Sequence, residues 1–208
     1  MGVAMFQRIG PLLVLPLLFA GCLVRSLEPV YTDKDLIAMP AVEGTWKAEE
    51  AGDNTFAFIR DGEKYQLTST EDGVSFVAEA HFAKIGKRTY LDLTFNESAF
   101  QGTDEKTLDT TARSYIQSVT FLSTPVHLFY QVEVANNVFR MRTMNHEWAK
   151  SRREKGRLWI DHVAQGDSTL LTADTARVQR FLRRWENSDD AWGEWEDRPL
   201  IPAVATAK

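Results

Sequence analysis

One cysteine in 208 residues leaves no partner for an intrachain disulfide. The apolar stretch from Ile9 to Ala20 is broken by Gly10, Pro11 and Pro16. It falls well short of the ~20 apolar residues that a membrane-spanning helix needs. No dense basic tract occurs, and a formal net charge of −5 argues against a general nucleic-acid binder. The chain also lacks a Gly-x-Ser-x-Gly elbow, a phosphate-binding Gly-rich loop and a dinucleotide fingerprint. Its histidines, His81, His127, His146 and His162, show no His-x-x-x-His or His-Glu-x-x-His spacing. Asp161 and His162 are neighbours, and neighbours on a strand point to opposite faces, so one cannot orient the other. His81 shares a face with Glu79 and is the remaining acid–imidazole candidate. No catalytic residue, metal site or cofactor is therefore expected.

What is present begins with the leader. Arg8 precedes the apolar stretch, which closes on Leu18-Phe19-Ala20-Gly21-Cys22. A positive residue, a short apolar core and small residues at the end read as a secretory signal peptide. The close on Ala-Gly-Cys resembles the lipobox of bacterial lipoproteins, with Phe19 where an aliphatic residue is usual. In that family the cysteine sulfur takes a diacylglyceryl group and the leader is cut before the cysteine. The new amino terminus is then acylated, with palmitate typical of such chains. The resemblance implies a leader at 1–21, lipidation at Cys22 and a membrane contact made by covalent lipid, durable because several chains share it. With Cys22 committed to lipid, no thiol remains for a metal site or a nucleophile. Leu23 stands where an aspartate is associated with inner-membrane retention. In a host with two membranes this implies the outer membrane, facing the periplasm. Residues 22–43 read as the modified cysteine and a tether with one helical turn at Thr32-Asp33-Lys34-Asp35.

From Gly44 the apolar pattern takes period two, the mark of half-buried strands. Phe56 and Phe58 share one face, and Asp61-Gly62 predicts a hairpin turn into a strand carrying Tyr65 and Leu67. Val74, Phe76, Ala78, Ala80 and Phe82 point one way, with Ser75, Glu79 and His81 opposite. Further strands are expected around Leu91–Phe95, Val126–Val134, Val138–Met144, Leu158–His162 and Ser168–Leu171. Residues 96–118 read as an insertion with a short helix. A second short helix is expected over His146–Lys155, capped by Asn145. The strongest helix, over 173–186, is capped by Thr172 and carries Val178, Phe181, Leu182 and Trp185 on one apolar stripe. Residues 197–208 read as a disordered tail. The fold class is mainly β: an antiparallel up-and-down barrel or strongly curved sheet of about 8–9 strands. One C-terminal amphipathic helix and one short additional helix accompany it, in a single domain over 44–196.

Gly44-Thr45-Trp46, opening the first strand after a short helical turn, resembles the Gly-x-Trp motif of lipocalins. The resemblance implies that Gly44 permits a tight start and that Trp46 plugs the closed end of an eight-stranded barrel. The family's Thr-Asp-Tyr motif is absent from the middle of the chain. In such a barrel the inward wall would be Phe56, Phe58, Tyr65, Phe76, Ala78, Ala80, Phe82, Phe95, Tyr130 and Met141. That wall either lines a cavity for a lipid or other apolar molecule, or fills the interior itself. Ala78 and Ala80, being small, argue for room. The expected function is thus a non-enzymatic, membrane-anchored envelope lipoprotein that binds an apolar small molecule or lipid. The alternative is a structural or assembly lipoprotein that binds another envelope protein through its surface, using the 96–118 insertion with Trp192 and Trp195. Basic residues Arg177, Arg180, Arg183 and Arg184 on the last helix, and Lys150, Arg152, Arg153 and Lys155 on the shorter one, suit either a solvated face or an anionic lipid surface.

Overall fold

Period-two alternation over so much of the chain leaves each strand with one apolar face to bury, and the strands do so by curling round it. The computed structural model describes residues 23–48, 55–71, 74–95, 100–101, 126–136 and 138–202. The leader, Cys22 and most of the 96–118 insertion lie outside the described residues. The strands are β1 (Val24–Ser26), β2 (Gly44–Ala48), β3 (Thr55–Asp61), β4 (Lys64–Glu71), β5 (Val74–Ile85), β6 (Arg88–Thr94) and β7 (Phe100–Gln101). They continue with β8 (His127–Ala135), β9 (Val138–Thr143), β10 (His162–Gln165), β11 (Ser168–Leu171) and β12 (Glu196–Pro202). Two helices, α1 (His146–Glu154) and α2 (Thr175–Trp185), complete the set.

The mainly-β class expected from the sequence is what the structure shows. Neighbours pair antiparallel from β2 through β3, β4, β5 and β6 to β8, then β9 and β12. Strand β12 pairs back onto β2, so the path returns to its start and makes an up-and-down ring. At the seam, β8 gives Tyr130–Ala135 to β9 and His127–Leu128 to β1. There β1, β11 and β10 form an outlying flap, with β1 and β11 parallel.

The inward faces make one core and the outward faces of β5, β6 and β8 make a second. The inner core includes Phe58, Tyr65, Phe82, Leu91, Tyr130, Val132, Phe139 and Met141. In the outer core Ile85, Tyr90 and Phe129 pack under Val178, Phe181 and Leu182 of α2, with Leu158 and Trp192. Each helix is closed at its start by a side chain. Asn145 accepts the Trp148 N–H at 3.2 Å and Asp174 accepts the Arg177 N–H at 2.8 Å. The cap of α2 is thus Asp174, not Thr172, because the chain bends two residues later than the sequence pattern suggests. Gly86 turns β5 into β6 at φ +62°. A β-carbon there would run into the Glu186 carboxylate, which accepts the Lys87 N–H at 2.9 Å.

Three expectations are corrected. Residues 23–43 are no free tether: Val24 and Val30 are buried, and Leu23 hydrogen-bonds at its N–H to Ser168. The segment does contain the expected helical turn, a 3-10 turn at Asp33–Asp35 closed by a capping box between Thr32 and Asp35. Residues 196–202 are strand β12 rather than tail. Its prolines are tolerated because Pro199 ends the ladder to β9 and Pro202 ends the ladder to β2. Helix α2 consequently precedes the last barrel strand instead of following it.

Candidate functional site

Of the expected inward wall, Phe58, Tyr65, Phe76, Ala78, Ala80, Phe82, Phe95, Tyr130 and Met141 belong to one buried cluster, with Phe56 packed against it. Their rings meet each other. Phe82 lies 5.5 Å from Phe58 and 5.2 Å from Tyr65, Phe139 lies 6.0 Å from Phe58, and Phe76 lies 5.9 Å from Phe95. Such separations are those of rings in contact. Ala78 and Ala80, whose small size argues for room, are 2% and 0% exposed within this cluster.

One end of the ring is sealed by the chain before β2. Leu36 bridges to Ala83, and the Ile37 N–H donates to the Phe82 carbonyl at 2.9 Å. The Met39 N–H donates to the Tyr65 hydroxyl at 2.8 Å, and the Trp46 indole N–H donates to the Val42 carbonyl at 2.8 Å. Trp46 packs on the inner core beside Ile37 and Met39. Gly44 opens β2 at φ +117°, a conformation that side-chain-bearing residues rarely adopt.

A polar cluster sits on the outside of the barrel. Register places His81 opposite Asp92, and Thr94 opposite His127, so these side chains share the outer face of β5, β6 and β8. Asp92 is fully buried. One carboxylate oxygen lies 2.6 Å from His127 Nδ1, and the other accepts the Val30 N–H at 3.0 Å. Tyr31 stacks on His81 at 4.6 Å, and Glu79 lies 3.8 Å from His81 Nε2. Burial lowers the His81 imidazole below its ordinary value, against the opposing pull of Glu79 and Asp92. Burial raises the Tyr31 phenol, reinforced by Asp92, Glu79 and Asp33. The cluster fastens a strap: Gln179 of α2 donates to the Val30 carbonyl at 3.1 Å and to Asp35 at 2.7 Å. With both Asp92 oxygens engaged, this is a clasp between N-terminal segment, barrel and helix. No group of three or more His, Cys, Asp or Glu among the described residues is placed to hold a metal ion.

The sequence does not pair His127 with Asp92, because 35 residues separate them. Outward parity on successive strands was the signal available. The neighbours Asp161 and His162 face apart: Asp161 pairs with Arg177, while His162 Nδ1 lies 2.7 Å from the Ile160 carbonyl.

A second polar network joins β8, β9 and the segment after α2. Arg142, 4% exposed, donates from Nε to Gln131 at 2.8 Å, and Gln131 donates to the Glu186 carbonyl at 3.1 Å and the Tyr90 hydroxyl at 3.2 Å. Burial drives the Tyr90 phenol up to about 12. Trp192, expected on a partner-binding surface, is instead 1% exposed in the outer core and donates its indole N–H to the Trp185 carbonyl at 2.9 Å. Trp195 carries the Arg142 guanidinium 4.5 Å from its ring centre.

The basic faces of the helices are only partly solvated. Arg153 donates to the carbonyls of Ser168 and Gly166, and Lys150 pairs with Asp167 at 2.8 Å. Arg152 lies over Trp185 at 4.3 Å and Trp148 at 5.0 Å. Arg184 lies over Trp159 at 4.4 Å. Trp159 sits between buried Leu158 and Ile160 at φ 57°, a left-handed conformation costing a bulky residue on the order of 1–2 kcal/mol. Comparison with protein-family models, with curated proteins and with solved structures finds no match to this chain.

Proposed function

We propose that the protein is a lipid-anchored, non-enzymatic envelope lipoprotein whose barrel is a packed scaffold and whose outer surface binds another envelope protein. The observation that carries the anchoring is how firmly Leu23 is held to the domain. Leu23, the residue after Cys22, already hydrogen-bonds to Ser168 and accepts the Thr169 N–H at 3.1 Å. A lipid on Cys22 would therefore hold the domain flush against the bilayer rather than on a leash.

Two binding modes were expected, inside the barrel or on its outside. Ring-to-ring contacts from Phe58, Phe82, Tyr65 and Phe139 support the outside mode, since inward rings in mutual contact leave less room for an acyl chain. The dedication of Asp92 and His127 to the strap supports a non-enzymatic role. Native mass spectrometry of the purified protein, followed by organic extraction, tests the choice. The protein is expected to carry no ligand beyond its own covalent lipid. A stoichiometric fatty acid or other apolar molecule released from the fold would restore the interior mode.

A further inference from the structure

The exposed large apolar residues among the described ones are Leu27 at 40%, Trp159 at 60% and Val163 at 50%, with Ile59 at 57% on β3. They do not share one face: Val163 lies with Leu170 on the inner-core side of the flap, and Trp159 lies on the α2 side. Leu27 follows β1 and its N–H donates to the Leu171 carbonyl, Leu171 pairs with His162, and Val163 lies in β10. Strand β3 is halfway round the ring from β8, the strand that carries the flap. Beside the flap, Leu158, Trp159, Ile160, Phe181 and Trp185 line a cleft of about 190 Å³ together with arginines of α2. Arg177 is neutralised by Asp161. Arg180 and Arg184 pair with no carboxylate among the described residues, and Arg184 is stacked on Trp159 instead.

From this geometry we infer that the arginine–tryptophan cleft beside the flap is a docking face for an anionic bilayer, with Arg180 and Arg184 on lipid phosphates and Trp159 at headgroup level. Two guanidiniums with no carboxylate partner among the described residues, beside the exposed Trp159, match a surface that is charged outside and apolar just beneath. The cleft is smaller than the ~300–1,000 Å³ of pockets that enclose a whole small molecule, which favours a headgroup over a free ligand. Its position is right for the anchor. Leu23 meets one end of β11 and the cleft lies beyond the other, and four residues of strand span only about 10 Å. This inference rests on the anchored reading above and adds an orientation to it: the α2 cleft to the membrane, β3 and Ile59 away from it.

The test uses the full chain as processed by its host, reconstituted in nanodiscs of phosphatidylcholine with or without phosphatidylglycerol, the lipids brominated near the headgroup. Tryptophan quenching is expected to be at least threefold stronger in the anionic discs. Trp159→Phe should remove most of it, and the double variant Arg180→Glu with Arg184→Glu should remove its dependence on anionic lipid. Arg60→Glu, on β3, should change nothing. Equal quenching in both discs, or quenching untouched by Trp159→Phe, would overturn the inference. So would suppression by millimolar glycerol phosphate, which would make the cleft a small-molecule site. Intact mass of the same sample reads Cys22 separately. Trp159-dependent quenching of an unacylated chain would leave docking standing while the anchor fell.

Discussion

Truncating Phe82 to alanine puts the packed interior to a quantitative test. Phe82 is fully buried, with Phe58 and Tyr65 ring centres 5.5 and 5.2 Å away. Loss of the ring from a filled core leaves a void on the order of 80 Å³, which at ~24 cal/mol per Å³ amounts to about 2 kcal/mol. The lost transfer of apolar surface adds about 2 kcal/mol. The sum, about 4 kcal/mol, is a large part of the stability of an ordinary domain. Guanidinium unfolding followed by tryptophan emission should show a lower midpoint with an unchanged slope. Benzene should restore part of the loss by filling the new void and should leave the wild-type protein unaffected. A loss below ~1 kcal/mol, or a wild-type protein already stabilised by benzene, would refute the reasoning, because either would mean that space existed beforehand.

Other outcomes follow from the strap and its clasp. Asp92→Ala strands the Val30 N–H and His127 and should cost about 3 kcal/mol. Hydrogen exchange should rise at Val30 while the β5–β6 ladder stays protected, and equal protection at Val30 would contradict the clasp. The clasp should also loosen in acid. Burial holds the His81 imidazole below its unfolded value of about 6.5, so its contribution is complete above that pH and is lost as pH falls below it. Glu79 and Asp92 oppose the shift, while Lys64 and His127 reinforce it. Unfolding midpoints should therefore drop between pH 7 and pH 5, by less in His81→Gln; an identical drop in that variant would place the titration elsewhere.

The parts of the fold that alternate cleanly were legible. Strand β5 runs Val74–Ile85, and its Phe76, Ala78, Ala80 and Phe82 face inward as their period-two spacing requires. Strand β11 spans Ser168–Leu171, as expected. The chain hid β1 because three residues, Val24, Arg25 and Ser26, are too few to show a period, and a buried arginine reads as surface. It hid β12 behind Pro199 and Pro202, which look like strand breakers until each is seen to end a ladder. The clasp was hidden for a different reason. His81, Asp92 and His127 come together only through the register of three strands, and outward polar positions on one strand read as solvent-facing until a strap from elsewhere covers them. The strand expected over Leu158–His162 begins only at His162, because Trp159, between buried Leu158 and Ile160, takes a left-handed conformation that the alternating pattern does not reveal.

Intact mass spectrometry of the protein isolated from bacterial membranes bears most directly on the anchored reading. The account predicts a chain that starts at Cys22 and carries the added mass of acyl chains. A chain that retains residues 1–21 and an unmodified Cys22 thiol would contradict it.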